Sequence, residues 1–269
     1  MSSQPKVVLS IAGFDPSSGA GVTADIKTAA AQGCFCLSCP TALTIQSTLG
    51  VKAVDPVSAQ TVLRILEALA EDFDIAAVRI GMLGSTAVAA AVADFLRQAA
   101  LPNIVLDPIL HASSGTALLE ESGLEIVRDQ LLPMATVITP NLAEAAALTG
   151  IRVESPAEQS TAAGLLLELG AYAAVVTGGH LDEARDLLAW RDESGVHEEV
   201  FTGSHLESTS THGTGCAFAT SVACGLATGN SVLDSVRAAK SFVRCAIESA
   251  PGLGHGHGPM NLLWNLEGE

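Results

Sequence analysis

Basic residues are scarce in this chain. Lys and Arg number 13 against 29 Asp and Glu, a formal net charge of −16. The lysines are Lys6, Lys27, Lys52 and Lys240. A surface this acidic repels phosphate backbones and anionic lipid at long range. No nucleic-acid partner and no membrane partner is therefore expected, and a phosphate-bearing ligand would need local attraction. No stretch reaches the roughly 18 unbroken apolar residues of a membrane span. The opening MSSQPKVVLSIAGFD has neither the basic region nor the cleavage pattern of a secretory leader, so a cytoplasmic location is expected. Proline- or serine-rich linkers, repeats and low-complexity tracts are also missing, so residues 1–269 are expected to form one domain.

What the chain does have is apolar mass. Hydrophobic residues make up 48% and charged residues 16%, enough to bury a large core and to exclude disorder. Its six cysteines, Cys34, Cys36, Cys39, Cys216, Cys224 and Cys245, fit free thiols in a reducing compartment. The spacing Cys34-x-Cys36-x-x-Cys39 raises a metal reading. No second pair follows at zinc spacing and the run is strand-like, so buried strand thiols are the favoured reading.

Strand-like and helix-like segments alternate. Val7–Ile11, Ala77–Ile80, Ile104–Leu106, Thr136–Thr139 and Ala174–Thr177 read as strands. Ala20–Gln32, Ser85–Gln98, Ser155–Leu169 and Thr214–Thr228 read as helices. Val62, Ile65, Leu66 and Leu69 form a helical stripe behind Ser58 as N-cap, and Val232, Val236, Ala239 and Val243 form another behind Ser231. Asp186–Arg191 and Val196–Phe201 flank the turn Asp192-Glu193-Ser194-Gly195 and read as a hairpin. The alternation predicts a mostly parallel sheet with helices on both faces. Ligands of such sheets sit at the carboxyl ends of the strands.

Chemistry is therefore sought just after each strand. Gly13-Phe14-Asp15-Pro16-Ser17-Ser18-Gly19-Ala20-Gly21 is a glycine-rich turn that matches neither the dinucleotide nor the P-loop pattern. It reads equally as a ligand loop or as a plain strand-to-helix turn. Asp107, at the end of a strand and before Pro108, is expected to escape burial by the sheet and to face a metal ion or water; a turn or cap role stands beside that. Asn141 and Glu144 share one face at a helix start, where they could meet Mg²⁺ through water. The pair alone favours a capping box. The strongest local signal is Thr211-His212-Gly213-Thr214-Gly215-Cys216 ahead of an apolar helix. Two glycines and a helix start present N–H groups to an anion without using lysine. Cys216, in the first turn, is expected to have a lowered pKa. Lys240 lies beside the apolar stripe of its helix, either snorkelling or directed at a ligand. The run Gly254–Pro259 reads as a tight turn more readily than as a metal tract.

Together these segments resemble the hydroxymethylpyrimidine/phosphomethylpyrimidine kinases of thiamine biosynthesis, within the ribokinase-like superfamily. The likeness rests on SIAGFDPSSGAGVTADIKT, TALTIQST, RIGMLGS, VLDPIL, LLPMATVITPNLAEAAALTG, GGHLD, THGTGC and GHGHGP, in family order from about residue 7 to 260. It implies a three-layer α/β/α sandwich. It also implies ATP and Mg²⁺ as cofactors, a small pyrimidine substrate and a homodimer. By the same resemblance, Gly213, Thr214 and Gly215 form the anion hole and Cys216 is the catalytic base. Gln46 reads the amide-like edge of the pyrimidine, and Asp25, Gly13, Ala20, Met82 and Ile109 line its pocket. Asn141, Glu144, Lys240 and Thr177 fall in the nucleotide region, with Asp107 and Glu144 toward the metal.

The chain departs from that pattern at four places. Phe14 stands where relatives have Ser or Thr, and Ser18 where they have Gly. Ser113 and Thr177 stand where they carry phosphate-facing lysines. The implied activity is ATP-dependent phosphorylation of 4-amino-5-hydroxymethyl-2-methylpyrimidine and then of its monophosphate. A pyridoxine or pyridoxal kinase is the alternative within the class. A non-catalytic pyrimidine-binding protein is the alternative outside it, motivated by the absent lysines.

Overall fold

The computed structural model describes residues 4–111, 115, 118–178, 184–203, 206 and 208–266. Nine strands form one sheet: β1 (Val7–Phe14), β2 (Phe35–Ser47), β3 (Gly50–Pro56), β4 (Ile75–Ile80), β5 (Ile104–Leu106), β6 (Val137–Ile138), β7 (Ala173–Gly178), β8 (Ala184–Asp192) and β9 (Gly195–Gly203). Their spatial order is β3-β2-β1-β4-β5-β6-β7-β8-β9. The six strands from β2 to β7 in that order run parallel, while β3, β8 and their neighbours pair antiparallel. The hairpin expected at Asp186–Phe201 is present as β8 and β9. The β2–β3 hairpin was not foreseen.

Eight α-helices connect the strands: α1 (Gly21–Ala31), α2 (Ala59–Asp72), α3 (Thr86–Ala99), α4 (Glu121–Ile126), α5 (Leu142–Thr149), α6 (Pro156–Glu168), α7 (Thr214–Ala227) and α8 (Val232–Glu248) among the described residues. A π-helical turn and a 3-10 turn continue α4 to Met134. Serines cap four of the helices, including the expected Ser58 and Ser231, whose hydroxyls accept from Thr61 N–H and Asp234 N–H. No helix among the described residues is long and apolar enough to cross a membrane.

Strand periodicity divides the core into two layers. Leu9 and Ile11 of β1 with Val78 and Ile80 of β4 pack under α2, α3, α5 and α6. Val8 and Ala77 face the other way, joined by Val105, Val137 and Val175 against α7 and α8. Each fully buried aliphatic side chain contributes about 1.5–3 kcal/mol, so both layers press firmly on the sheet. The same parity turns Ser10, Arg79 and Asp107 toward the α1–α7 side. The order in which successive strands are added reverses between β1 and β4, because β2 lies on one side of β1 and β4 on the other. Ligands of open α/β sheets bind at such a switch point, beyond the carboxyl ends of the strands.

The cysteine run falls where a strand reading puts it. Cys36 and Cys39 lie on β2, and Cys34 precedes it; all three are free thiols. Cys39 donates its S–H to the Val62 carbonyl at 3.7 Å, and burial pushes its thiol up to about 12. The Gly254–Pro259 run is a turn wrapped on the β2–β3 tip. His257 N–H donates to the Thr48 carbonyl at 2.8 Å and His255 N–H to the Thr48 hydroxyl at 3.2 Å.

Candidate active site

The glycine turn after β1 is organised by one carboxylate. Asp15 accepts the N–H groups of Ser17 at 2.7 Å, Gly19 at 3.1 Å and Ala20 at 2.8 Å. Its Oδ2 also meets His212 Nε2 at 2.7 Å, which joins this turn to a loop 197 residues away. Burial alone would raise the carboxyl, but the bonds from His212 and Ser17 outweigh it and hold Asp15 at about 2. Close contact explains two glycines. A side chain on Gly19 would strike the His212 ring, and one on Gly213 would strike the Gly19 carbonyl. Ser18 takes a left-handed backbone at φ 61°. Its carbonyl is held by Lys27 Nζ at 2.9 Å.

Gly213 begins α7 in the left-handed region at φ 80°, with no side chain capping the helix. Gly215 is exposed above it. The helix start thus turns backbone N–H groups and the positive dipole end toward the switch point. Beneath this cradle sits Cys216, only 6% exposed. The expectation of a lowered pKa is overturned. Burial pushes the thiol up to about 11, with Asp107 and Asp25 adding to it; the Arg79 guanidinium and the Gly21 N–H pull the other way without prevailing. The helix terminus argument assumed solvent contact that the packing removes.

Asp107 also departs from expectation. It is 4% exposed, not held clear of the sheet, because strand parity turns it inward, where Arg79 Nη2 donates to it at 2.5 Å. Burial raises its carboxyl to about 6; Arg79 opposes the rise and Asp25 adds to it. Asp25 is fully buried behind the pocket face, receiving hydrogen bonds from Ser10 at 2.5 Å, Thr220 at 2.7 Å and Arg79 at 3.3 Å. Gly13, Met82 and Ile109 do gather. A side chain on Gly13 would touch the Met82 methyl at 2.7 Å, and Met82 packs with Ala42, Leu118, Val54 and Ile109. Ala20 is the residue that leads into α1. Gln46, half-buried near the end of β2, shares the inward parity of Thr44, whose hydroxyl donates to the Phe14 carbonyl at 3.0 Å. Phe14 itself is 36% exposed.

On the other side of the cradle, Asn141 and Glu144 form a reciprocal capping box on α5, each bond 2.9 Å. Burial and then Asp107 push the Glu144 carboxyl up to about 8. Two buried carboxyls, one of which raises the other, suit a hard divalent cation. Mg²⁺ is commonly held by one or two carboxylates plus ligand phosphates. Among the described residues no cluster of three or more His, Cys, Asp or Glu gathers as a metal site. Thr177 N–H donates to the Pro140 carbonyl at 2.9 Å, so this residue braces the start of α5. Lys240 Nζ lies 2.5 Å from Asp186 Oδ2, and Asp186 Oδ1 accepts the Gly178 N–H at 3.0 Å. That chain of contacts brings the ammonium to the end of β7. Ser113 lies outside the described residues, as do Gly179, His180, Leu181 and Asp182 of the GGHLD segment.

Sequence reasoning passed over Arg79, Asp15 and His212 as site residues. A signal existed for the first: a charged residue in the apolar strand Ile75–Ile80. Asp15 and His212 gave none, because their partnership spans the chain.

A glycine turn, a bare helix start and a carboxylate pair converge at the switch point of a mostly parallel sheet. Such a fold and site define a small-molecule phosphotransferase of the three-layer α/β class. The comparisons narrow this. The family model described as phosphomethylpyrimidine kinase matches residues 15–261, and the chain belongs to that family. It is 42% identical over 263 residues to the hydroxymethylpyrimidine/phosphomethylpyrimidine kinase of Streptomyces coelicolor, covering 97% of this chain and 96% of the relative. Among solved structures it is similar to the pyridoxal kinase of Staphylococcus aureus in complex with ADP, with TM-score 0.88, 28% identity and coverage of 98% and 96%. It is similar also to the phosphomethylpyrimidine kinase of Clostridium difficile, with TM-score 0.79, 32% identity and coverage of 89% and 98%.

Proposed function

We propose that this chain, as one catalytic unit, phosphorylates 4-amino-5-hydroxymethyl-2-methylpyrimidine and then its monophosphate, with ATP as donor, in thiamine biosynthesis. Its family is a kinase family, and its relatives include bifunctional enzymes of thiamine biosynthesis. The observation that carries the reading is the placement of Cys216 between the acceptor-side glycine turn and the uncapped start of α7.

In this reading the pyrimidine lies between Gly13, Met82 and Ile109, with Gln46 pairing with its amide-like edge. Asp25 stiffens the pocket from behind, and Ala20 closes the turn. Cys216 accepts the proton of the attacking hydroxyl. Its buried thiol makes a strong base once ionised, and Arg79 with the Gly21 N–H supports the charge the sulfur then carries. Gly213, Thr214 and Gly215 give N–H groups to the moving phosphoryl unit, where pre-aimed donors need no reorganisation. Lys240, Thr177, Asn141 and Glu144 border the nucleotide. Asp107 and Glu144 would hold Mg²⁺, which neutralises phosphate charge when bound. The exposed apolar side chains Phe14, Leu43, Ile45 and Leu49 on the β1–β2–β3 edge support a homodimer through that face. Free thiols support a cytoplasmic location.

The test is ADP release with the pyrimidine, its monophosphate and pyridoxine at equal concentration, followed by product mass. The reading requires mono- and diphosphate products and slower turnover on pyridoxine. Preference for pyridoxine overturns the substrate, and ligand binding without any ADP release overturns the enzyme.

A further inference from the structure

We propose that His212 is a positioning residue for phosphoryl transfer, the side chain that locks the start of α7 onto the glycine turn after β1. The proposal rests on the reading of the α7 start as the phosphoryl cradle and adds to it the group that aims that cradle.

His212 immediately precedes Gly213, the N-terminal cap of α7. Its backbone and its side chain are held by different parts of the protein. The His212 N–H donates to the Gly258 carbonyl at 3.2 Å, and the residue bridges to Pro259. That run is itself fastened to Thr48 at the β2–β3 tip. The side chain reaches the glycine turn, where Nε2 lies 2.7 Å from Asp15 Oδ2, with the imidazole 18% and the carboxylate 2% exposed. Asp15 is held at about 2, so at neutral pH it only accepts, and Nε2 carries the hydrogen. The fit leaves no room to slide. A side chain on Gly19 would strike the His212 ring, and one on Gly213 would strike the Gly19 carbonyl. Turn and cradle therefore interlock on either side of this one imidazole.

The turn does not need this bond for its own sake. Ser17, Gly19 and Ala20 already give Asp15 three backbone N–H groups, and Ser17 adds its hydroxyl, which fills the capacity of a carboxylate. The donor from His212 crosses 197 residues of chain and comes from the residue next to the cradle. Nor does α7 gain a cap from it, because no side chain caps that helix. What the contact fixes is the spacing between the acceptor-side turn and the N–H groups at the α7 start. Donors aimed in advance at developing charge act without reorganising, and a misplacement of about 1 Å costs about 10²-fold.

The experiment is steady-state ADP release, with pyrimidine and ATP each varied, for wild type, His212→Ala and His212→Gln. A glutamine amide can place an N–H donor close to the position of Nε2, and alanine places none. Positioning predicts that His212→Ala lowers kcat about tenfold or more, with both KM values within about threefold of wild type. His212→Gln should return kcat to within about threefold of wild type. Urea titration under the assay conditions gives the folded fraction of each variant. Three results overturn the proposal: His212→Ala turnover within about twofold of wild type, a loss no larger than the unfolded fraction accounts for, or His212→Gln as slow as His212→Ala. Should His212→Ala not fold, His212→Asn takes its place. Its amide is one methylene shorter than that of glutamine and falls short of Asp15, so it should stay about tenfold slower than His212→Gln, and equal rates contradict the proposal. Gly213→Ala separates this inference from the reading beneath it. Full turnover in Gly213→Ala overturns the α7 cradle itself, whereas a slow Gly213→Ala beside a fast His212→Ala overturns only the positioning by His212.

Discussion

The two sides proposed for acceptor and donor are built differently. Around Asp15, Asp25, Arg79 and Cys216, buried groups from distant parts of the chain interlock: 54 residues separate Arg79 from Asp25 and 28 separate it from Asp107. On the proposed donor side, Lys240 is 27% exposed and shared with Asp186, and Thr177 carries no charge. The acceptor side is fixed by folding, at the cost of desolvating charges. On the proposed reading, the donor side would work through backbone groups and a part-exposed cation that salt can screen. Changes on the first side should therefore alter rate or stability, and changes on the second should alter ATP affinity.

The largest effect is expected at the junction of the glycine turn and the cradle. Gly213→Ala places a methyl group against the Gly19 carbonyl in a left-handed backbone. Misplacement of this kind costs about 10²-fold in turnover, read by ADP release beside circular dichroism to confirm folding. Undiminished turnover would show that the two loops need not touch.

Next comes Asp15→Asn, expected to cost about 1.5–3 kcal/mol at pH 7 through lost charged hydrogen bonds. Asp15 is held at about 2, below its ordinary 3.8. The folded state binds fewer protons there, so the contribution is full above about pH 4 and lost as pH falls through about 2. Urea titrations from pH 7 downward should show the gap between variant and wild type closing over that window. A gap that widens with acid would contradict the depressed Asp15 carboxyl.

Smaller effects belong to the donor side. Lys240→Ala should raise the KM for ATP about tenfold, on the order of 1.4 kcal/mol, and leave the pyrimidine KM unchanged. The reverse experiment, Thr177→Lys, should lower the ATP KM a few-fold by adding a point charge. If either change moves the pyrimidine KM instead, the division between the two sides is wrong.

Much of the scaffold was legible because its signals are local. Ile104–Leu106 stands out as a strand to the residue, since Asn103 precedes and Asp107-Pro108 follows its β-branched run. Ser58 and Ser231 mark their helices by hydroxyls one residue ahead of the helix. The β2–β3 hairpin was not legible, because its outer positions carry Leu43, Ile45 and Leu49 and blur the alternation of an edge pair. In the site, the glycine turn and the α7 start were readable from glycine spacing. What could not be read was depth. Nothing local in Thr214-Gly215-Cys216 reveals that the sulfur is covered, or that Asp107 turns inward to an arginine 28 positions earlier. Burial of a charge or thiol depends on which elements cross above it, and that is settled by the whole sheet.

The central claim is that a covered thiol at the foot of the α7 cradle takes the hydroxyl proton. Its most direct test is Cys216→Ala assayed by ADP release and by calorimetry with the pyrimidine. The account predicts turnover lower by about 10²–10⁴-fold, with pyrimidine affinity within about threefold of wild type. Wild-type turnover in that variant would contradict it.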